Sequence, residues 1–407
     1  MNIGLITIGN ELLSGFTTDT NASWIGQEVS KFGGEIVKHV TIGDSTDAIL
    51  QALDEVSKVA HVIITTGGLG PTHDDLTADT FYIYFNDQPV FDEEYWALLE
   101  TRYQRFGRGI PQINRNQALK PQKGFSVPNP VGSARGLHYE QQGKHYFCLP
   151  GVPREMKAMM IRTILPWIKS QSQETLFVKT LRTTGIAESA LAEKIGMDLK
   201  TAENQVTVAF LPQITGVDIR LTSPNKSWLE FLEQRILPTI KPYYFGSGTQ
   251  TLEAVLGNQL HANGLTLAAA ESCTGGLLSH RLTNTPGSSR YFLGGAVTYS
   301  NTMKTNILGV REDTLRVYGA VSPETAREMA TGIRRKTGAD IGIAITGIAG
   351  PGGGTKEKPV GLVHIGLAVE AGTIAKKYEF SHDRETNKLL STQAALNLLR
   401  KWLYERK

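Results

Sequence analysis

Short apolar runs that end in glycine punctuate the first 168 residues: NIGLITIG, EIVKHVTIG and HVIITTGG read as buried strands. Between them, 21–32 and 47–58 carry apolar residues at helical spacing. Such alternation predicts a parallel sheet covered by helices on both faces. A helix over 153–168, with Pro153 suited to its first turn, closes the unit. The polar stretch KSQSQET (169–175) predicts a linker. After it, LFVKTLRTTG, a helix at 188–195, the strands QVTVAFLPQ and GVDIRLTS with a hairpin-like turn at 214–216, and a helix over 227–236 form a small α+β unit. From residue 249 the α/β pattern returns: a helix over 250–263, strand LTLAAA, the turn AESCTGG and a helix to 282. Strand FLGGAVTYS, a helix over 323–336, strands DIGIAITG and VGLVHIGLAV, and a C-terminal helix complete it. The expected fold is two three-layer α/β domains, 1–168 and 249–407, joined by a small α+β linker domain, 169–248.

Composition changes this picture little. The 407 residues are 40% hydrophobic and 20% charged, as in an ordinary globular protein. The net charge of +3 comes from dispersed basic residues, with no Lys/Arg stripe, which argues against direct nucleic-acid binding. Two cysteines, Cys148 and Cys273, are too few for a disulfide framework or a structural zinc site. MNIGLITIGNELL reads as a first strand and not as a signal peptide, and no apolar run approaches membrane-spanning length. A cytoplasmic protein without membrane contact is expected.

Candidate chemistry concentrates in two loops. VIITTGGLGPTHDD (62–75) and IGIAITGIAGPGGG (341–354) both place Thr-Gly-x-x-Gly-Pro directly after a strand. Glycines there let the backbone approach a phosphate, with exposed N–H groups as donors; a tight strand-to-helix turn is the plainer alternative. Neither loop matches the Walker A or the G-x-G-x-x-G pattern, which disfavours simple ATP hydrolysis and dinucleotide redox chemistry. Gly67, Gly68 and Gly70 of the first loop, and Gly347 and Gly350 of the second, are the candidate binding positions. Asp74 and Asp75 follow the first loop; carboxylates beside a phosphate nest imply an intervening divalent cation such as magnesium, or else helix caps. Glu11, Asp19 and Asp44 lie just past predicted strands and converge on the same sheet edge in this reading.

AESCTGG puts Ser272, Cys273 and Thr274 side by side ahead of a helix, so each is a candidate nucleophile or N-cap. Gly275 and Gly276 remove side-chain bulk, leaving backbone N–H groups for an oxyanion. No histidine stands in an obvious triad position. Lys304, in TYSNTMKTNILGV, sits near a helix start after a strand, and a desolvated lysine can serve as base. Cysteine at a helix N-terminus stays a competing nucleophile.

AESCTGG, TYSNTMKTNILGV, ITGIAGPGGGT and GLVHIGLA together resemble the nicotinamide mononucleotide deamidase domain of the CinA family. IGNELLSGFTTDTNASWIG, TTGGLGPTHDDLTAD and LPGVPREM resemble that family's other domain, which is related to molybdopterin-binding proteins. The resemblance implies deamidation of nicotinamide mononucleotide to nicotinate mononucleotide and ammonia by the C-terminal domain. It implies hydrolysis of ADP-ribose at its pyrophosphate by the N-terminal domain, with a divalent metal and potassium as a further candidate. Carried over by motif, Ser272 is the nucleophile, Lys304 its base, Tyr299 and Thr346 pocket residues, and Arg384, in FSHDRE, the cation for the substrate phosphate. Asp44 and Asn129 join the N-terminal substrate set, and Glu11, Asp74 and Asp75 the metal set. A homodimer is implied as well. Arg135, in NPVGSARG, stands where the family pattern has a neutral, rigid residue, which bears on the N-terminal substrate. Two rival expectations are an N-terminal domain that binds a nucleotide or pterin without catalysis, and a competence-associated interaction protein with vestigial pockets.

Overall fold

The computed structural model describes residues 1–105, 107–171 and 176–406. It divides into two compact units, Met1–Phe177 and Val178–Lys407.

In the first unit the strands are β1 (Asn2–Ile8), β2 (Glu35–Ile42), β3 (Val62–Thr66), β4 (Val90–Phe91), β5 (Leu119–Lys120), β6 (Phe125–Val127), β7 (Gly136–Gln141) and β8 (Lys144–Leu149). The main sheet runs β2-β1-β3-β8-β7-β6, and β4 pairs with β5 apart from it. The three strands expected from sequence are present, with helices Thr20–Ser30 and Thr46–Ser57 between them. Apolar clusters cover both faces, one holding Ile6, Ile63 and Phe81, the other Leu5, Ile64 and Met156.

The sheet is mixed, not wholly parallel. β1, β2, β3 and β8 are parallel neighbours, whereas β7 pairs antiparallel with both β8 and β6. Gln142 (φ 54°) and Gly143 (φ 72°) form the two-residue turn between β7 and β8. Two left-handed residues in so short a loop fold the chain back as a hairpin, which only antiparallel strands permit. The expected closing helix begins at Pro153, passes through a π turn at Met160–Ile164 and reaches Gln171. Part of the expected linker is therefore helical, and its residues 172–175 lie outside the described residues.

The second unit contains two sheets. β9 (Phe177–Thr183), whose first residue falls in the first unit, joins β10 (Thr207–Gln213), β11 (Gly216–Ser223) and β12 (Tyr244–Ser247) in the order β10-β11-β9-β12. Helices Glu188–Lys200 and Lys226–Ile240 accompany them. The larger sheet holds β13 (Leu267–Glu271), β14 (Phe292–Val297), β15 (Ile341–Gly347), β16 (Leu362–Val369) and β17 (Gly372–Glu379), ordered β14-β13-β15-β16-β17. Here β14, β13 and β15 are parallel, and β16 pairs antiparallel with both β15 and β17. β17 escaped the pattern reading because GTIAKKYE is an exposed edge strand with little apolar contrast.

One face of this sheet is built from very small residues. Ala268, Ala270 and Ala344 pack there with Leu308 and Met329. A Cβ at Gly342 would lie 2.1 Å from Ala330 O, and one at Gly366 2.2 Å from Ala326 O. Helix Pro323–Thr337 therefore rests almost on the backbone of the strands. Because side chains alternate along a strand, Ser272 continues the face of Ala268 and Ala270, toward the helix Asn301–Leu308.

Candidate functional site

The turn after β13 is organised by Glu271, which sequence reasoning passed over. Its fully buried carboxylate accepts bonds from the Thr274 hydroxyl (2.7 Å), the amides of Gly276 (3.0 Å), Leu278 (3.0 Å) and Ser279 (2.8 Å), and the Ser279 hydroxyl (2.8 Å). Helix Leu277–Thr283 thus carries its own anion at the positive end of its dipole. This corrects the oxyanion role expected of the glycine pair. Gly276 N–H is spent on Glu271, and Gly275 N–H on Ser272 O at 3.1 Å. The signal that could have found Glu271 is a carboxylate ahead of a short helix, with hydroxyl residues three and eight positions later.

Ser272 and Lys304 meet. Lys304 Nζ lies 3.0 Å from Ser272 Oγ, 2.8 Å from Thr298 O and 3.1 Å from Tyr299 O. The lysine is 1% exposed. Burial lowers its pKa from the usual lysine value, because the ammonium form loses water. A neutral amine has two N–H donors and one lone pair. In the structure Nζ donates to both carbonyls and to Ser272 Oγ; once the amine is neutral, only two donors remain and its lone pair is available to the serine hydroxyl. Ser300 caps the helix that delivers Lys304, its Oγ accepting from Met303 N at 3.2 Å.

The neighbours of Ser272 do different work. Burial pushes the Cys273 thiol up to about 12, far from the thiolate a cysteine nucleophile requires. Thr274 is fully buried and committed to Glu271. Of the three adjacent hydroxyl and thiol groups, Ser272 alone is hydrogen-bonded to the Lys304 amine.

The other C-terminal positions split into contact and support. Tyr299 gives its carbonyl to Lys304, while its exposed hydroxyl accepts from Arg384 Nη2 at 3.0 Å. Arg384 Nη1 donates to Gly350 O at 2.6 Å, tying the guanidinium to the second glycine loop. Thr346 neighbours Ser272 across the sheet, since Ser272 N donates to Ile345 O at 3.0 Å. Its buried hydroxyl donates to Ala320 O at 2.7 Å, so it supports the strand end. A Cβ on Gly347 would fall 2.7 Å from Leu362 O, which makes that glycine a packing requirement.

The first glycine loop gathers less. Gly67 (φ 122°) passes so near β1 that a Cβ would sit 2.0 Å from Ile8 O, and one on Gly68 would sit 2.2 Å from Thr77 Oγ1. A Cβ on Gly70 would meet Asp75 Oδ2 at 2.4 Å. Asp75 accepts from Thr72 N at 2.9 Å and from the Thr72 hydroxyl, bracing its own turn. Neither Asp74 nor Asp75 caps the helix that follows, because Leu76 is the N-cap of Thr77–Tyr84. Asp44 accepts from Asn10 N at 2.8 Å, and the exposed Glu11 folds back over Gly9. Asp19 caps Thr20–Ser30 through Ala22 N at 2.8 Å.

Asn129 is consumed by its own loop. It accepts from Gly132 N (2.8 Å) and Val131 N (3.1 Å) and donates to Ala134 O (2.8 Å) and Glu155 (2.5 Å). Arg135 is held by Asp92 Oδ2 (2.7 Å) and Leu119 O (3.2 Å) and stacks on Tyr95 at 3.9 Å. Among the described residues, no three His, Cys, Asp or Glu side chains stand where they could hold a metal ion. The expected trio of Glu11, Asp74 and Asp75 therefore forms no cage: each carboxylate is placed by its own turn. Asn21 was missed: its Nδ2 donates to Thr66 Oγ1 (3.1 Å) and Gly151 O (2.8 Å), leaving its Oδ1 buried and unpartnered beside the loop.

No helix among the described residues is long and apolar enough to cross a membrane. Three family models match consecutive segments: "Probable molybdopterin binding domain" over 4–170, "Damage-inducible protein CinA KH domain" over 178–246 and "CinA C-terminal domain" over 249–403. The KH-type segment contains no Gly-x-x-Gly, the loop by which KH domains clamp nucleic acid. A CinA-like protein of Salinibacter ruber is 41% identical, with 99% of this chain and 100% of that one covered. A CinA-like protein of Gemmatimonas aurantiaca is 42% identical over 98% and 96%. Among solved structures, the competence/damage inducible protein CihA from Agrobacterium tumefaciens is 38% identical, covering 38% of this chain and 97% of that one, with a TM-score of 0.36. With full-length relatives at this identity, and with the three domain types in sequence, the chain belongs to the CinA family.

Proposed function

We propose that the C-terminal domain is an amidohydrolase that deamidates nicotinamide mononucleotide. The observation that carries this is the desolvated Lys304 amine 3.0 Å from Ser272 Oγ. Lys304 takes the serine proton as Oγ attacks the carboxamide carbon. The oxyanion forms beside the turn, where the amides of Cys273 and Thr274 are the donors left over once Gly275 and Gly276 are engaged. On collapse the C–N bond breaks, the Lys304 ammonium protonates the departing nitrogen, and ammonia leaves an acyl ester on Ser272. Water, deprotonated by the same amine, then cleaves the ester to the carboxylic acid and restores the serine. Arg384 pairs with the substrate phosphate, a group its planar fork suits. Ammonia release from nicotinamide mononucleotide, followed with the purified protein and its Ser272→Ala variant, tests the proposal. No release by the wild type removes the deamidase and favours an interaction protein.

For the N-terminal domain, the dispersed carboxylates favour a nucleotide- or pterin-binding module over an all-protein metal centre. ADP-ribose hydrolysis with magnesium, and potassium alongside, stays open in the form where one carboxylate and the substrate phosphates share the ion. ADP-ribose turnover with and without each cation decides between them. A cytoplasmic homodimer completes the proposal, and sedimentation of the pure chain measures its second half.

A further inference from the structure

The C-terminal helix Arg384–Glu405 begins at the candidate site, and its first two turns carry a second cation. Arg384 and Lys388 are four residues apart and so share one face of the helix. A Cβ built on Gly275 would lie 3.8 Å from Lys388 Nζ, so the ammonium rests against the turn that presents Ser272. Gly275 there has φ 62°, a left-handed conformation that favours glycine.

Neither cation is held in an ion pair among the described residues. Arg384 is bonded to two neutral oxygens, Gly350 O and Tyr299 Oη. Lys388 is half-buried and has no hydrogen-bond or ion-pair partner among the described residues. Asp383, the nearest acid ahead of them, is occupied by the amides of Glu385 (2.9 Å) and Thr386 (3.0 Å) and by the Thr386 hydroxyl (2.6 Å). The helix N-terminus is thereby capped from within, and Glu385, the other acid of the first turn, forms no ion pair with either cation among the described residues. An ammonium with no partner of its own is available to pair with an anion that arrives beside it.

We infer that Lys388 is a substrate-binding residue, the second arm of a clamp with Arg384 that selects a phosphorylated nucleotide carboxamide over its dephosphorylated nucleoside. Arg384 offers two coplanar donors to two phosphate oxygens, and Lys388 adds a mobile point charge for the third. The clamp rests on the deamidase reading only for the identity of the group being hydrolysed.

The test compares ammonia release from nicotinamide mononucleotide and nicotinamide riboside by wild type, Lys388→Gln and Lys388→Arg. Loss of one charge-assisted bond predicts that the preference for the phosphorylated substrate, as a ratio of kcat/KM values, falls about 10- to 100-fold in Lys388→Gln. The fall lies in KM more than in kcat, and Lys388→Arg recovers most of it. An equal loss on both substrates, or no loss on either, overturns the inference. If the wild type hydrolyses neither compound, the deamidase reading fails on its own, and calorimetric titration with inorganic phosphate then decides. Weaker phosphate binding by Lys388→Gln keeps the clamp, and unchanged binding removes it.

Discussion

The two glycine loops share the spelling Thr-Gly-x-x-Gly-Pro and the same place after a central strand, yet they differ in what surrounds them. In both, the threonine hydroxyl is spent on a neighbouring backbone carbonyl: Thr66 on Pro150 O at 2.9 Å, Thr346 on Ala320 O at 2.7 Å. In both, glycine is needed because backbone passes close by. Around the C-terminal loop, a buried amine, a serine and two cations then converge. Around the N-terminal loop, the carboxylates are turned into separate local braces. The loop motif therefore marks an edge where a ligand can sit, and the chemistry depends on which side chains neighbouring elements deliver there.

The sharpest way to break the comparison is to remove the delivered pair. Ser272→Ala should lower ammonia release by at least about 10³-fold, the range seen when a catalytic nucleophile is deleted, while circular dichroism stays native. Lys304→Met should do the same. Retained activity in either would make the C-terminal loop no more reactive than the N-terminal one. A pH series adds the sign. The proposed mechanism uses the neutral amine, so kcat/KM should rise with pH and level off below the usual lysine value of about 10.4, because burial lowers the Lys304 pKa. Lys304→Arg, permanently charged, should be inactive at every pH.

Glu271→Gln comes next in size. An amide offers its NH₂ to donors that need acceptors, so unfolding free energy should drop by about 1–3 kcal/mol, read as a lower Tm in calorimetry. An unchanged Tm would mean that the carboxylate does not hold the turn. In the other domain, Asp75→Asn weakens only an exposed turn. A fall in ADP-ribose turnover, assayed with and without magnesium, would give the N-terminal loop chemistry of its own and narrow the contrast. Cys273→Ala should be the mildest, with deamidase activity within about threefold and a loss of about 1 kcal/mol of stability, since the thiol only packs. A large loss of activity would return the cysteine to the mechanism.

The strands that carry both loops were legible because β-branched runs ending in glycine have few other interpretations. The β7–β8 hairpin was not, although Gln142-Gly143 was there to be read as a left-handed turn. Lys304 could be nominated from its place after a strand, but its burial could not, since NTMKTNIL looks like an ordinary solvated helix. That burial depends on tertiary packing: the helix end at Leu308 joins Ala268 and Ala270 in one apolar cluster. Glu271 and Lys388 were invisible for a related reason. A charged residue at a strand end or on a helix face reads as solvated until the fold shows what stands opposite.

Arg400 shows what the small central domain contributes to the C-terminal helix. Its guanidinium, 6% exposed at the far end of the C-terminal helix, donates to the carbonyls of Pro242 (2.5 Å) and Tyr244 (3.1 Å), while Gln393 on the same helix reaches Thr184 at 3.0 Å. The small central domain thus stands in for water around a cation that the C-terminal domain would otherwise have to hydrate. Cut away at residue 248, that domain would keep Ser272 and Lys304 but lose the solvation of the helix that also bears Arg384. A spacer by sequence is, for that helix, an internal solvent.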